Sequence, residues 1–287
     1  MVIESPAVPE DPSEASSLAS AVATAGLAPS AVVEAPAEPV VEAPEPEPFE
    51  GLEVVPLSEL VAEFDRIADE LAEVPAVRAD YAAFVAAHGL VDSEALYRDY
   101  VRVKLVFEST RDGGLWHLRW DITNENPNSE QIWRQWKRAK LPEGEAGLPT
   151  AFAECDELSA LFAFLVYRLG VRHVGLYWPQ WNHVVAVWTV RSSEDAEPVR
   201  IVVPTSQIFL TDEDSLGTKG FDPWSQRTIY EYRRRDMKPS HAIAAELARF
   251  FVMQARRYGG LPQLELQQLR NERDAAMGAA LASSKRE

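Results

Sequence analysis

Hydrophobic positions from residue 57 onwards repeat at the three- and four-residue spacing of amphipathic helices. A second helix is predicted over 75–89, and a third follows a cap at Asp92 and ends at the glycines 113–114. A short strand at 115–123 and a helix capped by Asn128 complete this predominantly helical region. The first stripe consists of Leu57, Leu60, Val61, Phe64, Ile67, Ala68 and Leu71.

The pattern changes near residue 150, where a central helix from Phe152 to Leu169 is followed by segments that alternate like β-strands. Two further helices complete the chain. The segments after the central helix are the strands 171–178, 183–190 and 199–210 and the helices 240–258 and 262–281. The order predicts an α+β fold, with the central helix packed on a small antiparallel β-meander and with added N- and C-terminal helices.

Residues 1–50 have a different composition, rich in Pro, Ala and Glu and without Lys or Arg. Such a segment buries too little apolar surface to offset its ordering entropy, so it is predicted to be a disordered acidic tail. It is either a linker or an arm that a partner recognises. The predicted organisation is this tail, a helical region over 51–149 packed on the core, and the core with its C-terminal helices over 150–287.

The tail supplies more than half of the net charge of −17, and the remainder of the chain is still mildly acidic. That balance argues against nucleic-acid binding, which needs a basic face. No segment has the length and hydropathy of a membrane span. The one cysteine cannot form an internal disulfide and fits a cytoplasmic protein. No His pair has zinc-ligand spacing with it, so neither a metal nor another cofactor is implied.

The single cysteine, Cys155, lies in the first turns of the central helix. The N–H groups of a helix start favour a thiolate and can stabilise an oxyanion. Cysteine is also a common small core residue, and Cys155 shares an apolar face with Leu158 and Phe162. From the residues alone, a nucleophile and a core cysteine are equally good interpretations.

His183 favours the nucleophile, because it begins an apolar strand directly after a turn and could take the thiol proton there. His173, within the preceding strand, is interpreted as structural. Trp178 and Trp181 lie in or beside the turn and are predicted to line a substrate cleft, although core packing explains many such tryptophans.

The order of these motifs resembles the transglutaminase-like core of the papain-like cysteine protease fold. The resemblance rests on C-x-E-L-S-x-L-F-x-F-L-x-Y-R-L-G-V from Cys155, on N-H-V-V-A-V-W around His183, and on I-V-V-P-T at 201–205. It covers roughly 150–207, about a fifth of the chain. It implies that Cys155 is the nucleophile and His183 the general base.

The third member of the family's triad, an acid before Pro-Thr, is replaced here by Val203. Thr205 and Gln207 follow Val203 by two and four residues, so in a strand they lie on the same face as Val203. Either could hydrogen-bond the imidazole instead. The resemblance thus implies cysteine-dependent acyl transfer on an amide bond, most simply by a peptidase acting on a protein or peptide. The alternative is a catalytically inactive domain that binds a protein partner.

Overall fold

The computed structural model describes residues 47–115, 118–122, 150–153, 155–180, 183–191, 196–206, 230–231 and 240–284. The described residues belong to one compact unit that spans Glu45–Glu287. They form an α+β fold, which confirms the predicted class. The predicted helix capped by Asn128 and nearly all of the acidic tail lie outside the described residues.

Three N-terminal helices follow the predicted stripes: α1 (Leu57–Ala72), α2 (Pro75–His88) and α3 (Glu94–Thr110). The predicted cap at Asp92 is wrong: Ser93 caps α3 through its hydroxyl, which accepts from the N–H of Leu96 at 3.2 Å. Asp92 instead accepts a hydrogen bond from the Tyr81 hydroxyl at 2.8 Å. The helix also ends before the predicted glycines.

The chain then enters two short strands, β2 (Arg119–Ile122) and β3 (Thr150–Ala153), which pair in parallel. The central helix, α4 (Cys155–Arg168), begins directly after β3. The prediction that this helix starts at Phe152 is wrong, because Phe152 belongs to β3. Helix α3 packs against both α1 and α4, which joins the N-terminal helices to the rest of the core.

A four-stranded antiparallel sheet follows α4, in the spatial order β6-β5-β4-β7. Its strands are β4 (Val174–Gln180), β5 (His183–Val190), β6 (Val199–Val203) and β7 (Tyr230–Glu231). The predicted antiparallel meander is therefore confirmed as β4-β5-β6, and β7 extends it on the β4 side.

The described chain closes with β8 (Ala242–Ala244), α5 (Ala245–Tyr258) and α6 (Gln263–Ser284). Strand β8 pairs with β1 (Val54–Pro56), so the predicted helix start at residue 240 is wrong. Neither α1 nor α5 has a side-chain cap. Instead, the Leu57 amide donates to the His241 carbonyl at 2.8 Å, and the Ala245 amide donates to the Glu53 carbonyl at 2.9 Å. The residue before β8 thus accepts from the first amide of α1, and the residue before β1 accepts from the first amide of α5.

Both faces of the four-stranded sheet are buried. The face that belongs to the main core, with α4, includes Val184, Ala186 and Trp188, whereas Val185 and Val187 belong to a separate cluster on the opposite face. Alternation along β5 therefore assigns even positions to the α4 side and odd positions to the other. No helix in the described part of the chain is long and apolar enough to cross a bilayer.

Candidate active site

The side chain at the start of α4 is Cys155, the residue that sequence analysis singled out. It is the first residue of the helix and follows β3, whose Ala151 and Ala153 are buried. Its exposed fraction is 8%, and it belongs to the main core. The thiol therefore lies at the edge of the core, beside the N–H groups of a helix N-terminus.

Helix α4 is fixed against the sheet by a buried hydroxyl pair one turn after Cys155. Ser159 Oγ lies 3.3 Å from the Val184 carbonyl oxygen and 2.8 Å from Thr205 Oγ1. Ser159 has one hydroxyl proton, which it donates to the carbonyl, so Thr205 is the donor in the second bond. Thr205 Oγ1 then retains lone pairs for accepting a further hydrogen bond and has no proton left to donate.

This network fixes the position of Cys155 relative to β5. Residues four apart lie on the same side of a helix, so Cys155 is one turn from Ser159 on the side that meets Val184. Val184 directly follows His183, the first residue of β5. Thr205 also joins the loop after α3, because its carbonyl accepts from the Asp112 amide at 3.1 Å. The helix start, the head of β5 and the end of β6 therefore meet in one region.

The structure describes the backbone of His183 and not its side chain. The residue lies opposite Gln180 across the β4–β5 turn, and the pairing register shifts by one residue between Tyr177 and Gln180. The extra residue falls in β4 at Trp178-Pro179, where proline cannot donate to a ladder. The side chain of Trp178 and the whole of Trp181 lie outside the described part of the chain.

The parity of His183 bears directly on the predicted dyad. His183 has the odd parity of Val185 and Val187, which belong to the face away from α4. Because the register shift lies in β4, it leaves the alternation along β5 unchanged. By its position in the strand, His183 therefore belongs to the series of residues on the face away from α4.

The third position of the candidate site is apolar. Val203 is fully buried, pairs with Ala186 and belongs to the main core on the α4 side. Thr205, 1% exposed, is held by Ser159 as described above. Gln207 lies outside the described residues. Two acidic residues, Asp156 and Glu157, follow Cys155 directly in the first turn of α4.

Ser159 was not predicted from the sequence to be part of the site. Its signal is a single hydroxyl within a run of apolar residues on a helix that must be buried, because such a group needs a hydrogen-bond partner inside the core. Among the described residues, no cluster of three or more His, Cys, Asp or Glu side chains could hold a metal ion.

Comparisons with known proteins assign no family. No protein-family model, no curated protein and no solved structure matches this chain. The resemblance to the transglutaminase-like core therefore rests on the sequence motifs around Cys155 and His183 and at 201–205 alone.

Proposed function

We propose that this protein catalyses cysteine-dependent acyl transfer on an amide bond, with Cys155 as nucleophile and His183 as general base. The observation that carries the proposal is the docking of α4 on β5. The Ser159 hydroxyl binds the carbonyl of Val184 at 3.3 Å, so the helix that begins with Cys155 meets the strand that begins with His183. The order of these elements along the chain, a helix followed by an antiparallel meander, is the one that the resemblance implies.

The proposed reaction has two steps. His183 accepts the thiol proton, the sulfur attacks the amide carbonyl carbon, and the N–H groups at the start of α4 stabilise the oxyanion. The C–N bond breaks, the amine leaves with the proton from His183, and a thioester to Cys155 remains. Water deprotonated by His183 then hydrolyses the thioester, and this step regenerates the thiol and releases a carboxylic acid. A second amine in place of water would give transamidation.

Two groups are proposed to support the imidazole. Thr205 Oγ1 can accept a hydrogen bond from a ring N–H through a lone pair that its bond with Ser159 leaves unused. Gln207 remains a predicted alternative for the same role, and Trp178 and Trp181 remain predicted walls of the substrate cleft. The expected substrate is a protein or peptide, and the expected compartment is the reducing cytoplasm, where a lone thiol persists.

The test is the alkylation rate of Cys155 by iodoacetamide at pH 6, followed by intact-protein mass spectrometry. Because the chain contains one cysteine, every adduct reports on this residue. We expect the wild-type thiol to react at least about tenfold faster than glutathione, since the thiolate is the reactive form. The His183→Ala variant should lose this advantage, and a His173→Asn variant should retain it. Equal rates for wild type and His183→Ala would contradict the proposal.

A second candidate, a catalytically inactive domain that binds a protein partner, is favoured by two observations. Val203 places an apolar side chain where the family has an acid, and it is fully buried. Regular alternation along β5 gives His183 the parity of the face away from Cys155. This candidate predicts a Cys155 alkylation rate no higher than that of glutathione and unchanged partner binding in Cys155→Ala.

A further inference from the structure

A pocket lies at the end of the four-stranded sheet remote from His183. It is formed where β4 begins, β5 ends and β6 begins. Its lining residues are His173, Val174, Gly175, Thr189, Arg191, Pro198 and Arg200. From His183 to Thr189 the strand rises about 20 Å, at about 3.3 Å per residue, so this pocket is separate from the candidate active site.

The polar lining residues form a row across the strands. The Thr189 amide donates to the His173 carbonyl at 2.9 Å, and Thr189 pairs with Arg200 across β5 and β6. The neighbouring pair, Val187 and Val202, belongs to the apolar cluster on the face away from α4. Thr189 and Arg200 therefore lie on that same face, two residues further along each strand.

The chemistry of the lining is that of an anion site. Two arginines, Arg191 and Arg200, line the pocket with Thr189 and His173, and the described lining residues include no Asp or Glu. Guanidinium forks bind phosphate and carboxylate oxygens in pairs, which gives both affinity and orientation. The chain outside the acidic tail is mildly acidic, so this concentration of donors runs against its overall charge.

An adjoining cleft shares three of these residues and adds a third arginine. It is lined in part by Arg172, and its one carboxyl group is that of Asp99. Burial raises the pKa of Asp99, an effect that Arg102 opposes.

The backbone at His173 supplies an independent observation. Its φ is +60°, a conformation that favours glycine, and within the described chain only Phe49 shares it among non-glycine residues. Strained backbone of this kind concentrates at functional sites, where a side chain is needed despite the conformational cost. Here the strained residue is exposed and lines the pocket.

We propose that this pocket binds the phosphate or carboxylate group of a small anionic ligand through Arg191, Arg200, Thr189 and His173. The two guanidinium groups supply the charge and the bidentate geometry. Thr189 and His173 supply further donors from the middle of the row. The proposal does not depend on the reactivity of Cys155.

The test is an NMR titration of the full chain, observed at the imidazole C–H resonances of its five histidines. Inorganic phosphate and succinate are titrated separately at constant ionic strength, with chloride as the reference salt. His173→Asn assigns the His173 resonance, because asparagine tolerates the same backbone conformation. We expect the His173 resonance to shift saturably with phosphate, with succinate or with both; a response to one alone identifies the group that binds.

The double variant Arg191→Gln with Arg200→Gln should weaken binding at least about tenfold, since each removes a charge-assisted hydrogen bond. The matched control is Arg257→Gln, which should leave the affinity unchanged. Arg257 is an exposed arginine in α5 that stacks on Tyr258. The proposal is overturned if neither anion gives a saturable shift beyond chloride. Equal affinity in the double variant, or in both single variants should the double variant not fold, overturns it as well.

Discussion

The docking of α4 on the sheet can be tested by removing one hydroxyl, in Ser159→Ala. Ser159 is fully buried and Thr205 is 1% exposed, so water cannot replace the lost partner of either Val184 O or Thr205 Oγ1. A buried polar group that loses its partner costs about 1–3 kcal/mol. The 3.3 Å bond to Val184 contributes less than the 2.8 Å bond to Thr205.

Together the two losses should lower the free energy of unfolding by about 2–3 kcal/mol. For a chain of this size the melting temperature should fall by roughly 2–4 °C per kcal/mol, or about 4–12 °C in total. Alanine is close to serine in volume, so no cavity term adds to this figure. The effect should appear in the urea midpoint with an unchanged m-value.

A double-mutant cycle isolates the hydroxyl pair. The four proteins are the wild type, Ser159→Ala, Thr205→Val and the double variant, each unfolded in urea and followed by tryptophan fluorescence. Removing both hydroxyls leaves no unpaired polar group at this bond. The coupling free energy between the two substitutions should therefore be about 1 kcal/mol.

The matched control is Ser109→Ala. Ser109 is also buried, but its hydroxyl bonds to the Leu105 carbonyl within the same helix at 2.7 Å, where the backbone already supplies a partner. Its loss should cost less than about 1 kcal/mol. A coupling free energy below about 0.3 kcal/mol between Ser159 and Thr205, or equal losses in Ser159→Ala and Ser109→Ala, would refute the reasoning.

Two further changes test other parts of the fold. Glu108→Gln leaves Arg111, 1% exposed, without the carboxylate whose oxygen lies 3.2 Å away, and should lower the unfolding free energy by about 3–5 kcal/mol in urea titrations. Burial raises the pKa of Glu108, but the charges of Arg111, Arg270 and Lys104 outweigh burial and hold this pKa below the ordinary 4.5. The stabilisation by the Glu108 carboxylate is therefore present above pH 4.5. It is lost as the pH falls through the pKa of the folded state. The melting temperature of the variant should therefore depend less on pH below 4.5 than that of the wild type; an equal decline would contradict this assignment. Gly89→Ala should cost about 1 kcal/mol, because Gly89 ends α2 at φ +62° and an added Cβ would contact nothing within 4 Å, so the whole effect is conformational. A change in the urea midpoint of less than about a third of that value would contradict it.

The helices α1 and α2 could be predicted from the sequence because their stripes are long and periodic. The start of α4 could not, because Phe152 lies in a short apolar run that serves equally as strand or helix, and only its pairing with β2 decides between them. The cap of α3 was misassigned for a similar reason. Asp92 and Ser93 can both cap a helix, and a distant group, the Tyr81 hydroxyl, engages Asp92.

The candidate site shows the same division between local and distant determinants. The sequence predicted Cys155 within the first turns of the central helix, which is a local property, although it placed the start of that helix three residues too early. Which face of β5 meets α4 is not a local property, because Val184, Val185, Ala186 and Val187 are all apolar and both faces of the sheet are buried. In such a strand, the pattern of apolar and polar residues does not show which residues lie on which face of the sheet.

The exchange of amide partners between β1 and β8 has a consequence for synthesis of the chain on the ribosome. The first amide of α1 needs the carbonyl of His241, and the first amide of α5 needs that of Glu53. Helices α1 to α3 are synthesised long before residue 241, so the N-terminal turn of α1 stays open to solvent until that residue has been made. A chain released before that residue would lack α5 and would also carry an uncapped first helix, a signal by which quality-control proteases could recognise it.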